Sequence, residues 1–246
     1  MKDLSAAEML TVWEQGLNRP LSQKSLMLLA AAYPELAVGT IAELSIGARD
    51  TCLLFIRERL FGPRLVNNAA CPNCSSRIEW EQNIADLHVA GGCEAPAEQA
   101  FSLDTPDCYR LRFRLPNSLD MAAIEGSEPA VAMRRLLQRC IHSAEYRGAE
   151  CAIEQLPETV IQALSQRIEA LDPQAEIRIQ LTCPDCAHKW EVFFDIAGFL
   201  WTEIDTWAER MLRTVHKLAK AYGWSERDIL NLSPVRRQLY LGMAGS

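Results

Sequence analysis

This chain has no long apolar run, no excess of basic residues, no low-complexity tract and none of the common catalytic signatures. No apolar stretch approaches the roughly 20 residues needed to span a bilayer, and the opening Met1-Lys2-Asp3-Leu4-Ser5 carries no apolar signal segment. The sequence therefore predicts a cytoplasmic protein. With 25 Lys and Arg against 32 Asp and Glu, the net charge is −7. That balance argues against a general nucleic-acid binder, which normally presents a basic face. Histidine is scarce: His88, His142, His188 and His216 are scattered and form no His-Glu-x-x-His or related pattern. Gly-x-Ser-x-Gly, P-loop and Gly-x-Gly-x-x-Gly stretches are absent as well, so nothing in the sequence supports an enzyme.

What is present is a globular composition and one repeated module. The 246 residues are 49% apolar, enough for one large or two small domains with a core of their own. The chain contains nine cysteines, an odd number in a sequence that reads as cytosolic, so a disulfide framework is not expected. Four of the nine fall in two pairs of identical form, Cys71-Pro72-Asn73-Cys74 and Cys183-Pro184-Asp185-Cys186. The likeness continues without a gap to Glu79 and Glu191, then to Asn83-Ile84-Ala85 and Asp195-Ile196-Ala197. Of the other cysteines, Cys52 and Cys140 sit in apolar helical contexts and read as small core residues. Cys93, Cys108 and Cys151 read as structural or incidental.

A Cys-x-x-Cys pair in a tight turn points two thiolates at one metal ion, and two such turns make a closed Cys₄ shell for Zn²⁺. The ligand set read from the sequence is Cys71, Cys74, Cys183 and Cys186, a structural site with no open position for a substrate. Two other readings stay open at this stage. Cys-Pro-x-Cys is also a redox motif when its first cysteine opens a helix, but both pairs here are followed by alternating strand sequence. The second alternative is a pair of reduced, metal-free hairpins. His188 follows the second pair closely and reads as solvated rather than as a ligand.

The surrounding pattern predicts an α+β fold, with helical N- and C-terminal regions around a small sheet built on two zinc-ribbon-like hairpins. The divisions are 1–64, N-terminal and helical; 65–197, mixed, with both cysteine turns; and 198–246, C-terminal and helical. Ser5 and Glu8 form a capping box for a first helix, and Asn18-Arg19-Pro20 breaks it. A second helix starts at Leu21 and ends before Pro34. A third runs from Ser45–Arg49 to Gly62-Pro63. Alternation marks strands at Ile78 and Trp80, at Tyr109–Leu115, at Glu176–Leu181 and at Trp190–Phe194. Residues 88–100 read as an exposed loop. Helices are expected from Ser118 or Asp120, over Pro129–Ser143 and over Pro157–Leu171. A long one is expected over Ile196–Tyr222, with Phe199, Leu200, Ile204, Trp207, Met211, Val215 and Leu218 as its apolar stripe. Gly223 stops that helix, and two short helices open at Ser225 and Ser233-Pro234. Arg134, Arg135 and Arg139 read as a solvated helix face. Trp190, Trp201, Trp207 and Trp224 are a dense supply of core or interface anchors.

Several short segments together carry a family resemblance. They include Leu4–Leu10 with Val12-Trp13-Glu14, Arg57–Pro63, both cysteine pairs, Arg112–Pro116, and Ala221-Tyr222-Gly223-Trp224-Ser225-Glu226-Arg227-Asp228-Ile229-Leu230. The last continues through Leu232-Ser233-Pro234 and Arg236-Arg237 to Tyr240-Leu241. This pattern resembles the baseplate hub assembly chaperone family of T-even-like contractile phages and phage-like contractile injection systems. The resemblance implies a non-enzymatic assembly chaperone or baseplate component that binds hub or spike proteins, with no small-molecule substrate, and that can be incorporated into a tail-like particle. On physical grounds Trp224, Ile229, Leu230, Tyr240 and Leu241 are the candidate partner-binding residues, unless they only pack the terminal helices together. The rival expectation is a zinc-ribbon adaptor in nucleic-acid metabolism, which the acidic balance disfavours.

Overall fold

The structure is a computed structural model that describes residues 1–88 and 100–244. The expected loop over 88–100 lies outside the described residues apart from its two ends, as does Cys93. In chain order the elements are α1 (Ala6–Gly16), α2 (Leu21–Ala32), α3 (Val38–Glu43), α4 (Ile46–Phe61), β1 (Arg64–Ala70) and β2 (Arg77–Asn83). There follow β3 (Phe101–Asp104), β4 (Tyr109–Phe113), α5 (Ser118–Ile124), α6 (Pro129–Cys140), β5 (Ile141–Tyr146), β6 (Ala149–Glu150) and α7 (Glu158–Leu171). The chain closes with β7 (Arg178–Thr182), β8 (Lys189–Phe193), α8 (Ile196–Tyr222), α9 (Glu226–Leu230) and α10 (Pro234–Ala244). They form two compact units, one of residues 37–195 and one of residues 1–36 with 196–246.

The unit of residues 37–195 carries the strands. Ser45 caps α4 by accepting the Ala48 N–H at 3.2 Å, and Gly62 ends it at φ 87°, a backbone state that favours glycine. The helix buries Leu53, Leu54 and Ile56, and Cys52 is buried with them, in a disulfide rather than as a free thiol. Gly47 N–H donates to Asp172 Oδ2 at 2.9 Å, which fixes the start of α4 against the turn after α7.

The expected single sheet on both cysteine turns is corrected to three antiparallel sheets among the described residues. β1 pairs only with β2, β7 only with β8, and β3-β4-β5-β6 form a separate sheet containing neither cysteine pair. Sequence alternation marked β4, but β3, β5 and β6 are short and come into register only by pairing, as in Leu103↔Leu111↔Ala144. The same pairing cuts α6 short. Its helical pattern was expected to reach Ser143, yet Ile141–Tyr146 extend along β4 and so place Ile141 and Ala144 in the core. That core joins Leu111 and Phe113 to Leu137 of α6 and to Val160, Ile161 and Leu164 of α7. Each such side chain, when fully buried, contributes about 1.5–3 kcal/mol.

Asp120, fully buried at the start of α5, ties this sheet to its helices. Its carboxylate accepts from Arg114 Nη2 at 2.9 Å, Arg139 Nε at 3.0 Å and the Asn117 N–H at 3.1 Å. Arg139, read from sequence as a solvated cation, is thus an ion-pair partner. Hydrogen bonds hold the Asp120 carboxyl below its usual range even though burial alone would raise it.

The other unit is helical. Ser5 and Glu8 form the expected capping box, with Ser5 N–H to Glu8 Oε2 at 2.9 Å and Glu8 N–H to Ser5 Oγ at 3.3 Å. Gly16 permits a close approach: a Cβ there would lie 2.3 Å from the Trp201 ring. Trp13 Nε1 donates to Asp205 at 2.6 Å, joining α1 to α8. The buried stripe of α8 is Leu200, Trp201, Ile204, Ala208 and Leu218, so Trp207, Met211 and Val215 are only half-buried. Gly223 ends α8 at φ 69°. From α10, buried Arg237 donates to the carbonyls of Ile229, Leu230 and Leu232 at 3.3, 3.2 and 2.9 Å. No helix of the described residues is long and apolar enough to cross a membrane.

Candidate metal centre

Each cysteine pair occupies a six-residue turn between two strands, Cys71–Ser76 between β1 and β2 and Cys183–His188 between β7 and β8. The two turns share the same backbone hydrogen bonds. In the first, Cys71 N–H donates to Ser76 O at 2.9 Å and Ser75 N–H to Cys71 O at 2.8 Å. In the second, Cys183 N–H donates to His188 O at 2.9 Å and Ala187 N–H to Cys183 O at 2.9 Å. The fifth residue of each is left-handed, Ser75 at φ 62° and Ala187 at φ 56°, an uncommon state for residues other than glycine. The sequence repeat is therefore a repeat of conformation, and that conformation turns both sulfurs of a pair to one side.

The two turns meet. Cys71 Sγ lies 3.7 Å from Cys186 Sγ, and Cys74 Sγ lies 3.5 Å from Cys183 Sγ. All four sulfurs lie within 4.8 Å of one another. A tetrahedron of sulfurs with Zn–S bonds of about 2.3 Å has edges of roughly 3.8 Å, so the cluster has the size of a Cys₄ shell. Cys71 and Cys183 are buried, Cys186 is half-buried and Cys74 is exposed. The shell thus has a sealed inner side and an accessible outer one.

The acidities of the outer pair are split. The Asn73 side chain, with the His188 N–H, pulls the Cys186 thiol down to about 6, although partial burial opposes them. The Ser76 N–H likewise favours the Cys74 thiolate, but contacts with the Cys186 and Cys183 thiols outweigh it and push Cys74 up to about 12. Four crowded thiols cannot all ionise alone, and a bound cation is what reverses that balance.

His188 takes part through its backbone only. Its ring stacks on Trp190 with centroids 6.0 Å apart and an interplanar angle of 18°. The strand context that argued against redox chemistry is seen in both turns, since β2 and β8 follow them directly.

The residues expected to bind a partner lie in the other unit. Trp224 stacks on Tyr222 at 4.6 Å between centroids and meets Tyr240 edge-on at 4.9 Å. Trp224, Leu230, Tyr240 and Leu241 are half-buried, whereas Ile229 is completely buried. Ile229 therefore packs the terminal helices and presents no surface. Sequence reasoning missed a different group on this segment: Val235, Leu239 and Met243 recur every fourth residue along α10 and are all exposed.

The chain is thus a largely helical protein with small sheets and a four-cysteine centre. Among protein families it matches the one described as T4 bacteriophage base plate protein, over residues 22–201. That stretch is well over half of the chain, and the chain belongs to this family, baseplate proteins of T4-like contractile phages. The match contains both cysteine turns but stops before the segment Ala221–Leu241, which carried the strongest part of the resemblance read from sequence. No curated protein and no solved structure matches the chain.

Proposed function

We propose that this protein is a non-enzymatic assembly chaperone or resident component of a contractile tail-like baseplate, binding hub or spike proteins and holding its strand-bearing unit together with one structural Zn²⁺. The observation that carries the reading is the four-sulfur cluster of tetrahedral size within a chain of baseplate family. Cys71, Cys74, Cys183 and Cys186 would hold the ion. When bound, it supplies charge that stabilises four thiolates and a cross-link between the β1–β2 and β7–β8 hairpins. A filled Cys₄ shell offers no open coordination position, so its contribution is to folding and not to catalysis.

Partner recognition is assigned to the helical terminus. Trp224, Tyr240, Leu230 and Leu241 keep part of their surface, and half-exposed aromatic residues on a rigid helical frame are the usual anchors of an interface. Co-expression of the tagged chain with the hub and spike proteins of its own gene cluster, followed by affinity capture and mass spectrometry, tests the assignment. Recovery of hub or spike proteins, reduced by Trp224→Ala, is the expected result. Recovery of nucleic acid with no tail or baseplate protein would overturn it in favour of the nucleic-acid adaptor.

A further inference from the structure

Six large apolar side chains among the described residues are more than half exposed, and three of them share one helix: Val235 at 70%, Leu239 at 58% and Met243 at 64%. The other three, Val38, Val66 and Phe193, stand on separate elements. α10 is held to its own unit by its opposite side, where Arg237 reaches Met211 Sδ of α8 at 3.0 Å and the Tyr222 hydroxyl donates to Tyr240 O at 3.4 Å. At about 100° per residue, Val235, Leu239 and Met243 fall within about 80° of one another and face away from Arg237. They form one ridge of the kind that packs beside a second helix. Gly242 lies next to it, and a Cβ there would meet nothing within 4 Å.

The surroundings of the ridge are basic. Residues 210–246 carry seven cations against two acids, a net of +5, which leaves −12 on the first 209 residues of a chain whose net charge is −7. Arg210, Arg213, Lys217 and Lys220 are exposed on α8, and Arg236 is exposed at the start of α10. The helix macrodipole explains only Lys220, because its effect fades beyond the last turn. Three ridge side chains cover far less than the roughly 800 Å² per partner of a stable interface, so an occupant must spread onto this basic surround. A second copy would set +5 against +5. A lipid surface calls for aromatic residues on the apolar face, whereas Trp224 and Tyr240 pack edge-on against each other with centroids 4.9 Å apart.

We infer that α10 is a docking helix: its Val235–Leu239–Met243 ridge receives an acidic amphipathic helix of a partner protein, whose carboxylates meet Arg236 and the cations of α8. The inference rests on the reading of the chain as a protein that binds hub or spike proteins, and it names the chemistry of the segment they present. The two parts of the surface act differently. Rim cations steer the encounter and make it sensitive to salt, whereas the buried apolar ridge sets how slowly the complex dissociates.

The test probes the full-length chain with overlapping peptides that tile the hub and spike proteins of its gene cluster, at low and high salt, and titrates the intact proteins in parallel. The bound tiles are expected to be acidic with apolar residues at i, i+4 spacing, and to bind more weakly as salt rises. Leu239→Glu is expected to weaken them about tenfold or more. Arg236→Glu is expected to slow association and flatten the salt dependence. Both positions are exposed, and an acid in the first turn suits a helix N-terminus, so circular dichroism should be unchanged. Intact hub or spike protein bound equally by wild type and Leu239→Glu would overturn the docking helix while leaving the hub or spike reading standing. A dimer of the chain alone that Leu239→Glu dissolves, or tighter binding to phosphatidylserine vesicles than to any tile, would give the ridge to another occupant and overturn the inference. No binding to any hub or spike protein or tile would overturn it together with that reading.

Discussion

Cys74 Sγ stands 3.5 Å from Cys183 Sγ, although the two residues are 109 apart in sequence. Closing so long a loop costs chain entropy, and among the described residues no backbone ladder links the β1–β2 sheet to the β7–β8 sheet to offset it. The contact is accounted for if the four sulfurs share an ion, whose binding can contribute on the order of 10 kcal/mol to folding.

The buried ligands are therefore expected to be indispensable to the strand-bearing unit. Cys71→Ser should abolish metal binding and lower the thermal midpoint to that of chelator-treated wild type, because the loss is comparable with the whole stability of a typical domain, about 5–15 kcal/mol. Cys108→Ser, at an exposed free cysteine, should leave both metal content and melting unchanged. Calorimetry with parallel metal analysis checks the pair.

Asp120 governs the acid limb of stability. Its folded pKa is depressed, so the stability it contributes is present above its unfolded value near 3.8 and is lost as the pH falls through the folded value. Asp120→Ala leaves the part-exposed Arg114 and Arg139 without their partner and the Asn117 N–H without its acceptor, and should cost about 1–3 kcal/mol at neutral pH, with a smaller cost in acid. Urea unfolding at pH 7 and pH 3 measures the difference.

Gly47 and Gly16 should reject even a methyl group. An added Cβ at Gly47 would lie 2.0 Å from Asp172 Oδ1, and one at Gly16 would lie 2.3 Å from the Trp201 ring. Each alanine variant is expected to lose about 1–3 kcal/mol through forced displacement of its neighbour. Gly39→Ala, which meets nothing within 4 Å, should be neutral or slightly stabilising. Chemical denaturation of the three variants side by side tests this.

Arg237 is expected to hold the terminal helices as a group. Arg237→Met keeps the length of the side chain but leaves the carbonyls of Ile229, Leu230 and Leu232 without their donor. Each unsatisfied buried group costs about 1–3 kcal/mol, so α9 and α10 should lose hydrogen-exchange protection while α1 and α2 keep theirs.

Much of the fold was legible in the sequence where the signal is local. Ser5, Ser45, Gly62, Gly223 and Ser225 bound helices because caps and left-handed stops act within a few residues. The repeat of Cys-Pro-x-Cys marked the four cysteines that cluster, Cys71, Cys74, Cys183 and Cys186, because two copies of one motif fold into two like turns. Non-local information was not legible. Ile141–Tyr146 carry a pattern that fits the tail of α6, and only pairing with β4 makes them a strand. Asp120 and Arg139 are nineteen residues apart on separate helices, so nothing in the sequence marked their ion pair. Ile229 looks like its neighbour Leu230, and which of the two is buried depends on how α9 packs.

Native mass spectrometry of the intact, freshly purified and reduced chain addresses the central claim most directly. A mass raised by one Zn²⁺ per chain, returning to the apo mass on acidification or in Cys183→Ser, is the predicted result. A folded wild-type chain found only at its metal-free mass, even after incubation with Zn²⁺, would contradict it.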